Sequence, residues 1–516
     1  MAPAGAGAER QGGGRSVTTA VQEPAVIGVD IGTGSTKGVL ATPTGEIVAT
    51  TRRAHRMSLP RPGWAEMDAE RDFWDGFTEV TRELMASAGS REIAGVCVSG
   101  IGPCVLRVDG SGAPRHAAIL YGIDMRATAE IAEMTERLGA DAILKRCGKD
   151  LSTQAAGPKL LWLQRNMPDA WDPADHWHSS HTYVVERLAG EWIMDHQTAS
   201  QCDPLYDVEA QAWADDWAEQ FFPGMSLPRL VWPAEQVGAV LPDAAAATGL
   251  PRGTPVMAGT IDAWAEAYSA GVRRPGDLML MYGSTMFMVQ VVPAFTVAGG
   301  LWTTSGVEPG SHTLAAGMAT SGSLTGWVQE LTGGASFGEL VEEASAVPPG
   351  SDGLVVLPYF AGERSPIFDP QARGVLAGLT LRHQRGHLFR AVYEGIAYGI
   401  RQIIDALDSA AGPPLRVVAV GGGTQGGLWT RIVSDVTGLA QHVPAETIGA
   451  SYGAGLMAAV GTGLVPPETD WARTVEIVEP DPGTRRVYAE TYRTYTELYP
   501  ATRDQVHTLA RLQGQE

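Results

Sequence analysis

The hydrophobic positions of this chain fall into short apolar runs that end in small or acidic residues, interleaved with stretches where apolar residues recur at helical spacing. Residues 26–40 set the pattern: an apolar run, Asp30, a cluster of glycines and hydroxyls, then a second apolar run. Such flanks predict the two strands of a hairpin. Gly32 and Gly34 would let the turn adopt positive φ, so that backbone N–H groups converge on an anion, with Thr33, Ser35, Thr36 and Lys37 adding donors and one charge. Further strands are predicted at 92–99, 117–121, 255–259, 278–282, 286–292, 354–360 and 415–420. Helices are predicted at 70–88, through the 130s, and at 157–166, 263–270, 386–410, 428–437, 451–460 and 484–512. Residues 169–250, rich in Trp, Pro and Asp, are only weakly periodic and are expected at one end of the first domain.

The opening device returns in the second half, where strands 278–282 and 286–292 flank the small turn Gly283, Ser284, Thr285. Two lobes of this design facing each other would bring both turns to one cleft. The first turn is neither a Rossmann nor a Walker loop. Gly32, Gly34 and Gly38 are spaced G-x-G-x-x-x-G, and Lys37 lies between Thr36 and Gly38. By itself it could hold nucleotide phosphates, with Asp30 beside a hydrated Mg²⁺, or be an ordinary glycine-rich hairpin. Strand 415–420 runs into Gly421, Gly422 and Gly423, where backbone could approach a flat ligand; a tight strand–helix connection would look the same. Asp262 heads a helix at a strand end, and either caps it or faces a cleft. Asp124 and Arg126, also at a strand end, could grip sugar hydroxyls or serve as an N-cap and a surface cation.

Composition narrows the partners. A chain of 516 residues with 44% hydrophobic content should form at least two globular domains. A formal net charge of −20 argues against nucleic acid or an acidic membrane as a general partner. A nucleotide would therefore need local N–H donors, a few basic side chains and a metal. The four cysteines form no C-x-x-C pair, which points to a reduced, cytoplasmic setting. No apolar run approaches the ~20 residues of a membrane span. Residues 1–23 lack a signal-peptide core and are expected to be a disordered tail. A homodimer is compatible with the sequence.

Several further motifs occur together. Gly374, Gly378 and Leu379 are followed, after seven residues, by His387, Arg390, Tyr393 and Glu394. Pro158-Lys159-Leu160-Leu161-Trp162-Leu163, Gly362-Glu363-Arg364-Ser365-Pro366 and the triple glycine with Leu428-Trp429 complete the set. In order and spacing these resemble the FGGY family of carbohydrate kinases across nearly all of the chain after residue 24. Gln154 and Ala156 depart from the usual upstream positions. The resemblance implies an α/β, two-lobed, actin-like ATPase fold with lobes at 24–268 and 269–516. It implies ATP and Mg²⁺, with Gly32 to Lys37 and Gly283 to Thr285 as phosphate hairpins, Asp30 at the metal, and Gly421, Gly422, Gly423 and Gln425 bordering the adenosine. It also makes Asp262 the catalytic base, a role compatible with capping. An unperturbed aspartate, at pKa ~3.9, is a weak base for an alcohol, so Asp262 is expected to orient the hydroxyl and accept its proton late. Gly63-Trp64-Ala65-Glu66-Met67-Asp68 and Asp124-Met125-Arg126 resemble the ketopentose kinases of xylulokinase type, implying D-xylulose as acceptor. Sugar contacts would come from Asp262, Asp124, Arg126 and the segment Ser99, Gly100, Ile101, Gly102. Those kinases commonly carry Met-His after the Ser-Gly pair, whereas this chain reads Ile101-Gly102-Pro103-Cys104.

Overall fold

The computed structural model describes residues 23–445 and 448–513, so the tail expected at 1–23 lies, apart from Glu23, outside the described residues. β1 (Ala25–Ile31) and β2 (Ser35–Ala41) form the expected hairpin, with Asp30 opposite Lys37. β3 (Ile47–Ala54) adds to its outer edge and α1 (Asp75–Ser87) covers one face. β4 (Ile93–Gly100) then runs parallel to β1. After it come β5 (Leu106–Val108), α2 (Ala156–Asn166), β6 (His176–His178) and α3 (Ser180–Ala189). β7 (Gln236–Ala239) and β8 (Pro255–Met257) complete a six-stranded sheet in the order β7-β8-β4-β1-β2-β3, and α4 (Asp262–Ser269) follows.

The second half rebuilds this plan. β9 (Asp277–Tyr282) and β10 (Met286–Val292) are an antiparallel hairpin. β11 (Trp302–Ser305) and β12 (His312–Met318) extend the sheet beyond β10. α5 (Arg385–Ala411) leads to β13 (Arg416–Val420), which pairs parallel to β9 as β4 does to β1. α6 (Leu428–Thr437), β14 (Gln441–Pro444), α7 (Ala450–Gly461), β15 (Thr474–Val478) and α8 (Arg485–Gln513) close the chain. The seven strands run β11-β12-β10-β9-β13-β14-β15.

β1 is buried throughout because both its faces are covered. Ala25, Ile27, Val29 and Ile31 join one core while Val26 joins another built with α7. α7 therefore packs on the first sheet, although its sequence belongs to the second half. Small residues make this approach possible. A Cβ on Gly28 would fall 2.0 Å from the Ser451 carbonyl oxygen, and one on Gly453 1.9 Å from that of Ala265. α4 does the reverse: Ile261, Trp264 and Ala267 join a cluster with Met279, Val289 and Val418 of the second sheet. Each lobe thus lends a helix to its neighbour.

Some expectations need correcting. Neither Gly32 nor Gly34 lies in the left-handed region. A Cβ on Gly32 would sit 3.1 Å from the Ser35 carbonyl oxygen, and at Gly34 it would meet nothing, so both act by leaving the turn open. The strand expected at 117–121 shortens to Ala118–Ile119 and that at 354–360 to Val355–Leu357. β3, β11 and β12 were not legible: their threonines, arginines and small residues blur the period-two pattern.

Candidate active site

The two hairpin turns meet at a cavity of about 530 Å³ between the lobes. The first contributes Asp30, Gly32, Thr33 and Lys37, the second Gly283 and Thr285, and the turn after β13 contributes Gly421 and Gly422. Asp262 and Glu266, one turn apart on α4, face the same space. Gly449 and Ala450, at the start of α7, close one side.

Asp30 is 6% exposed and accepts a hydrogen bond from Ser99 Oγ (3.1 Å). Burial pushes its carboxyl up to about 6, against the pull of Lys37 and the Ser99 hydrogen bond. Asp262 is pushed further, to about 8, first by burial and then by the negative charge of Asp30. Glu266 is raised to about 7 for the same two reasons. Asp262 therefore has a higher proton affinity than the unperturbed aspartate taken as the reference above. Ala263 N–H donates to Asp262 Oδ1 (2.7 Å), so the residue does hold a first-turn donor of its helix. Three carboxyl groups against two basic side chains, Lys37 and Arg364, leave the cavity wall with an excess of acid. Its oxygen-only donor set suits a hard cation.

Other candidates divide. Gly102 reaches the cavity, where Gln154 Nε2 donates to its carbonyl (3.1 Å) and to Gln201 Oε1 (3.2 Å). Ser99 is fully buried and serves Asp30; Gly100 N–H donates to the Thr260 carbonyl, and Ile101 N–H to that of Ile31. Asp124 and Arg126 face each other instead of the cavity. The Asp124 carboxylate accepts from Ala65 N–H (2.7 Å) and Arg126 Nε (2.9 Å), while the guanidinium also pairs with Glu66 and stacks on Trp64. Both side chains are essentially unexposed and hold the 63–68 loop in place. Thr36, expected among the phosphate donors, is fully buried and its hydroxyl lies against Gly76. Ser35 is buried too, and Gly34, Ser284 and Gln425 are exposed outside the cavity wall. Gly423 is small for an internal reason: a Cβ there would strike the Trp429 ring at 2.6 Å. Gly421, at φ +93°, lies in the left-handed region.

Several cavity residues escaped the sequence. Glu266 could have been found from its i+4 spacing to Asp262. Tyr121, Gln201, Trp264, Phe287 and Trp302 are brought together from distant segments with no local signal to mark them, whereas Arg364 comes from the Gly362–Pro366 motif.

Family models for the N-terminal and C-terminal domains of the FGGY family of carbohydrate kinases match residues 25–268 and 279–462. The chain belongs to this family. It is an ATP-dependent sugar kinase with the two-lobed, actin-like fold of that family. A xylulose kinase of Lactococcus lactis is 28% identical over 502 residues, covering 94% of this chain and 98% of that protein. A glycerol kinase of Nocardia farcinica is 30% identical over 472 residues, covering 87% and 93%. The crystal structure of a xylulose kinase from Rhodospirillum rubrum superposes with a TM-score of 0.86 at 33% identity, covering 94% of this chain and all of that one.

The FGGY signature residues turn out to stand behind the site. Lys159, 1% exposed, donates to the carbonyls of Leu120, Tyr121 and Thr153, and so fixes the turn that carries Tyr121 to the cavity. Arg390 pairs with Glu394 (2.8 Å) inside the second lobe. Glu394 also accepts from Gly350 N–H and Ser351 Oγ, and Arg390 donates to the Tyr488 hydroxyl. Among the described residues, no helix is long and apolar enough to cross a membrane.

Proposed function

We propose that this kinase transfers the γ-phosphoryl group of ATP to a hydroxyl of D-xylulose, giving D-xylulose 5-phosphate. The observation that carries the reading is the convergence of both hairpin turns, the Gly421 turn and Asp262 on one cavity. The similarity to xylulose kinases over nearly the full length favours a ketopentose acceptor.

In this reading Gly32, Thr33, Lys37, Gly283 and Thr285 hold the phosphates, and Gly421 and Gly422 border the adenosine. Ser35, Thr36, Ser284 and Gln425 are left to shape those turns. Asp30, with the acid-rich wall behind it, holds Mg²⁺, which neutralises phosphate charge when bound. Asp262 orients the acceptor hydroxyl through Oδ2 and takes its proton late in the transfer, while Ala263 N–H keeps Oδ1 in place. With a cation at Asp30 offsetting part of the charge that raises it, Asp262 returns toward the ionised form that can accept the proton. Gly102, Gln154 and Gln201 form the sugar wall in place of the Met-His pair, and closure of the lobes excludes water as a competing acceptor. The four cysteines are buried and free, which fits a cytoplasmic protein.

The test is ADP release measured with D-xylulose, D-ribulose, erythritol and glycerol in turn. D-Xylulose should rank among the best acceptors, and activity on it no higher than background sinks the choice. Preference for glycerol would follow the other group of relatives. ATP turnover indifferent to any acceptor would point to a nucleotide switch.

A further inference from the structure

Away from the cleft, His176 and His178 on β6 and Glu186 on α3 each turn a ligand atom toward one point, all within 4.8 Å of one another. The strand register explains the convergence. Residues i and i+2 share a face, so His176 and His178 lie together, opposite Val108 and Leu106 of β5. Trp177, paired with Arg107, points to the other face, which puts that guanidinium behind the imidazoles. Glu186 reaches both histidines, Oε1 lying 2.7 Å from His176 Nδ1 and Oε2 2.8 Å from His178 Nε2. Despite this approach, the fully buried His178 Nε2 has no aligned hydrogen-bond partner. Two imidazoles, one of them fully buried, drawn this close to a single carboxylate are what a shared ion would hold together.

We propose that His176, His178 and Glu186 form a binding site for one Zn²⁺ ion that ties β6 to α3. Two imidazoles and a carboxylate are an N/O set that zinc accepts. The His176 side chain, 38% exposed, leaves room for water to complete the coordination. Its ring is already fixed, stacked on Trp192 at 4.0 Å and 4°. Zn–N bonds of ~2.0 Å separate tetrahedral ligands by roughly 3.3 Å, so the two Glu186 contacts would open by about half an ångström while the widest separation in the trio, up to 4.8 Å, would close. The site braces the helix that supports the sugar wall. Ser180 Oγ donates to the Ile101 carbonyl (2.6 Å), and Cys104 N–H donates to Ser179 Oγ (3.2 Å).

The experiment is Zn²⁺ titration of the full-length, chelator-stripped protein by calorimetry and thermal melting, with excess Mg²⁺ present to occupy the acidic cleft. Wild type should bind about one equivalent and melt at higher temperature with zinc, whereas His176→Ala and Glu186→Gln, checked for folding by circular dichroism, should lose both effects. Equal binding by wild type and variants, or no binding by wild type at micromolar zinc, overturns the proposal. X-ray absorption on the zinc-loaded wild type tests it without any variant: two imidazole ligands support the site, and an oxygen-only shell overturns it.

Discussion

Asp262 is held in place by one backbone donor and pushed toward protonation by its surroundings. Replacing it with asparagine should lower phosphoryl transfer by about 10²–10⁴-fold, measured as coupled ADP release, with nucleotide binding largely kept. The same carboxyl has a signature in stability. Its folded pKa, about 8, stands above the unfolded 3.8, so between those values the folded state holds a proton that the unfolded state has lost. Stability of the nucleotide-free enzyme should therefore fall as pH rises from about 4 to 8. Asp262→Asn removes that contribution, so its melting temperature should exceed that of wild type at pH 8 and converge with it near pH 4. A variant that tracks wild type across the range would show that burial at 262 carries no such cost. Asp124 and Arg126 illustrate the limit of reading residues in isolation. Their types and position suit a sugar clamp, yet two tryptophans and a glutamate from other segments occupy Arg126.

At the scale of elements, glycine and a buried ion pair do the work that the strand and helix patterns left unexplained. α7 lies between β1 and α4 only because Gly28 and Gly453 lack side chains at the contacts. Gly453→Val should cost about 1–3 kcal/mol, read from the urea midpoint, because the backbone oxygen of Ala265 cannot yield as a flexible side chain would. In the second lobe, Glu394→Ala would strand Arg390, 5% exposed, without its carboxylate. A loss of about 3–5 kcal/mol is expected in the same assay, with the KM for ATP in surviving folded enzyme close to wild type. The pair ties α5 to the 350 loop and to Tyr488 of α8. That one of the most recognisable family motifs braces the lobe, away from the cleft, explains why its spacing is so legible. Helix periodicity and a fixed partner four residues on constrain it locally.

At the scale of the molecule, aromatic rings cross the cleft. Trp264 on α4 lies 5.7 Å from Phe287, which lies 6.1 Å from Trp302 of the second sheet. Trp264 Nε1 also donates to Thr313 Oγ1 (2.9 Å), so the helix bearing Asp262 is anchored in the opposite lobe. Relative movement of the lobes must disturb these rings. Adding sugar together with a non-hydrolysable ATP analogue should shift tryptophan emission more than either alone, and Trp302→Phe should shrink the change. No change in wild type would argue against closure on this path.

The sequence by itself determined the hairpins, the long helices, the repeated plan and the family, because each rests on residues near one another in the chain: alternating burial, helical spacing, glycine turns. It also marked Asp30, Asp262 and Lys37, which sit beside such turns. Only the tertiary structure decided which candidates share a cavity, that α4 and α7 exchange lobes, that Thr36 and Asp124 face inward, and that Gln154, Gln201 and Trp302 face the cleft. Burial raises the proton affinity of the carboxyl groups at 30, 262 and 266, and the charge of Asp30 raises the other two further, only after folding has brought them together and removed water from around them. Burial and charge proximity are properties of packing between distant segments, and they become readable once the two sheets stand face to face.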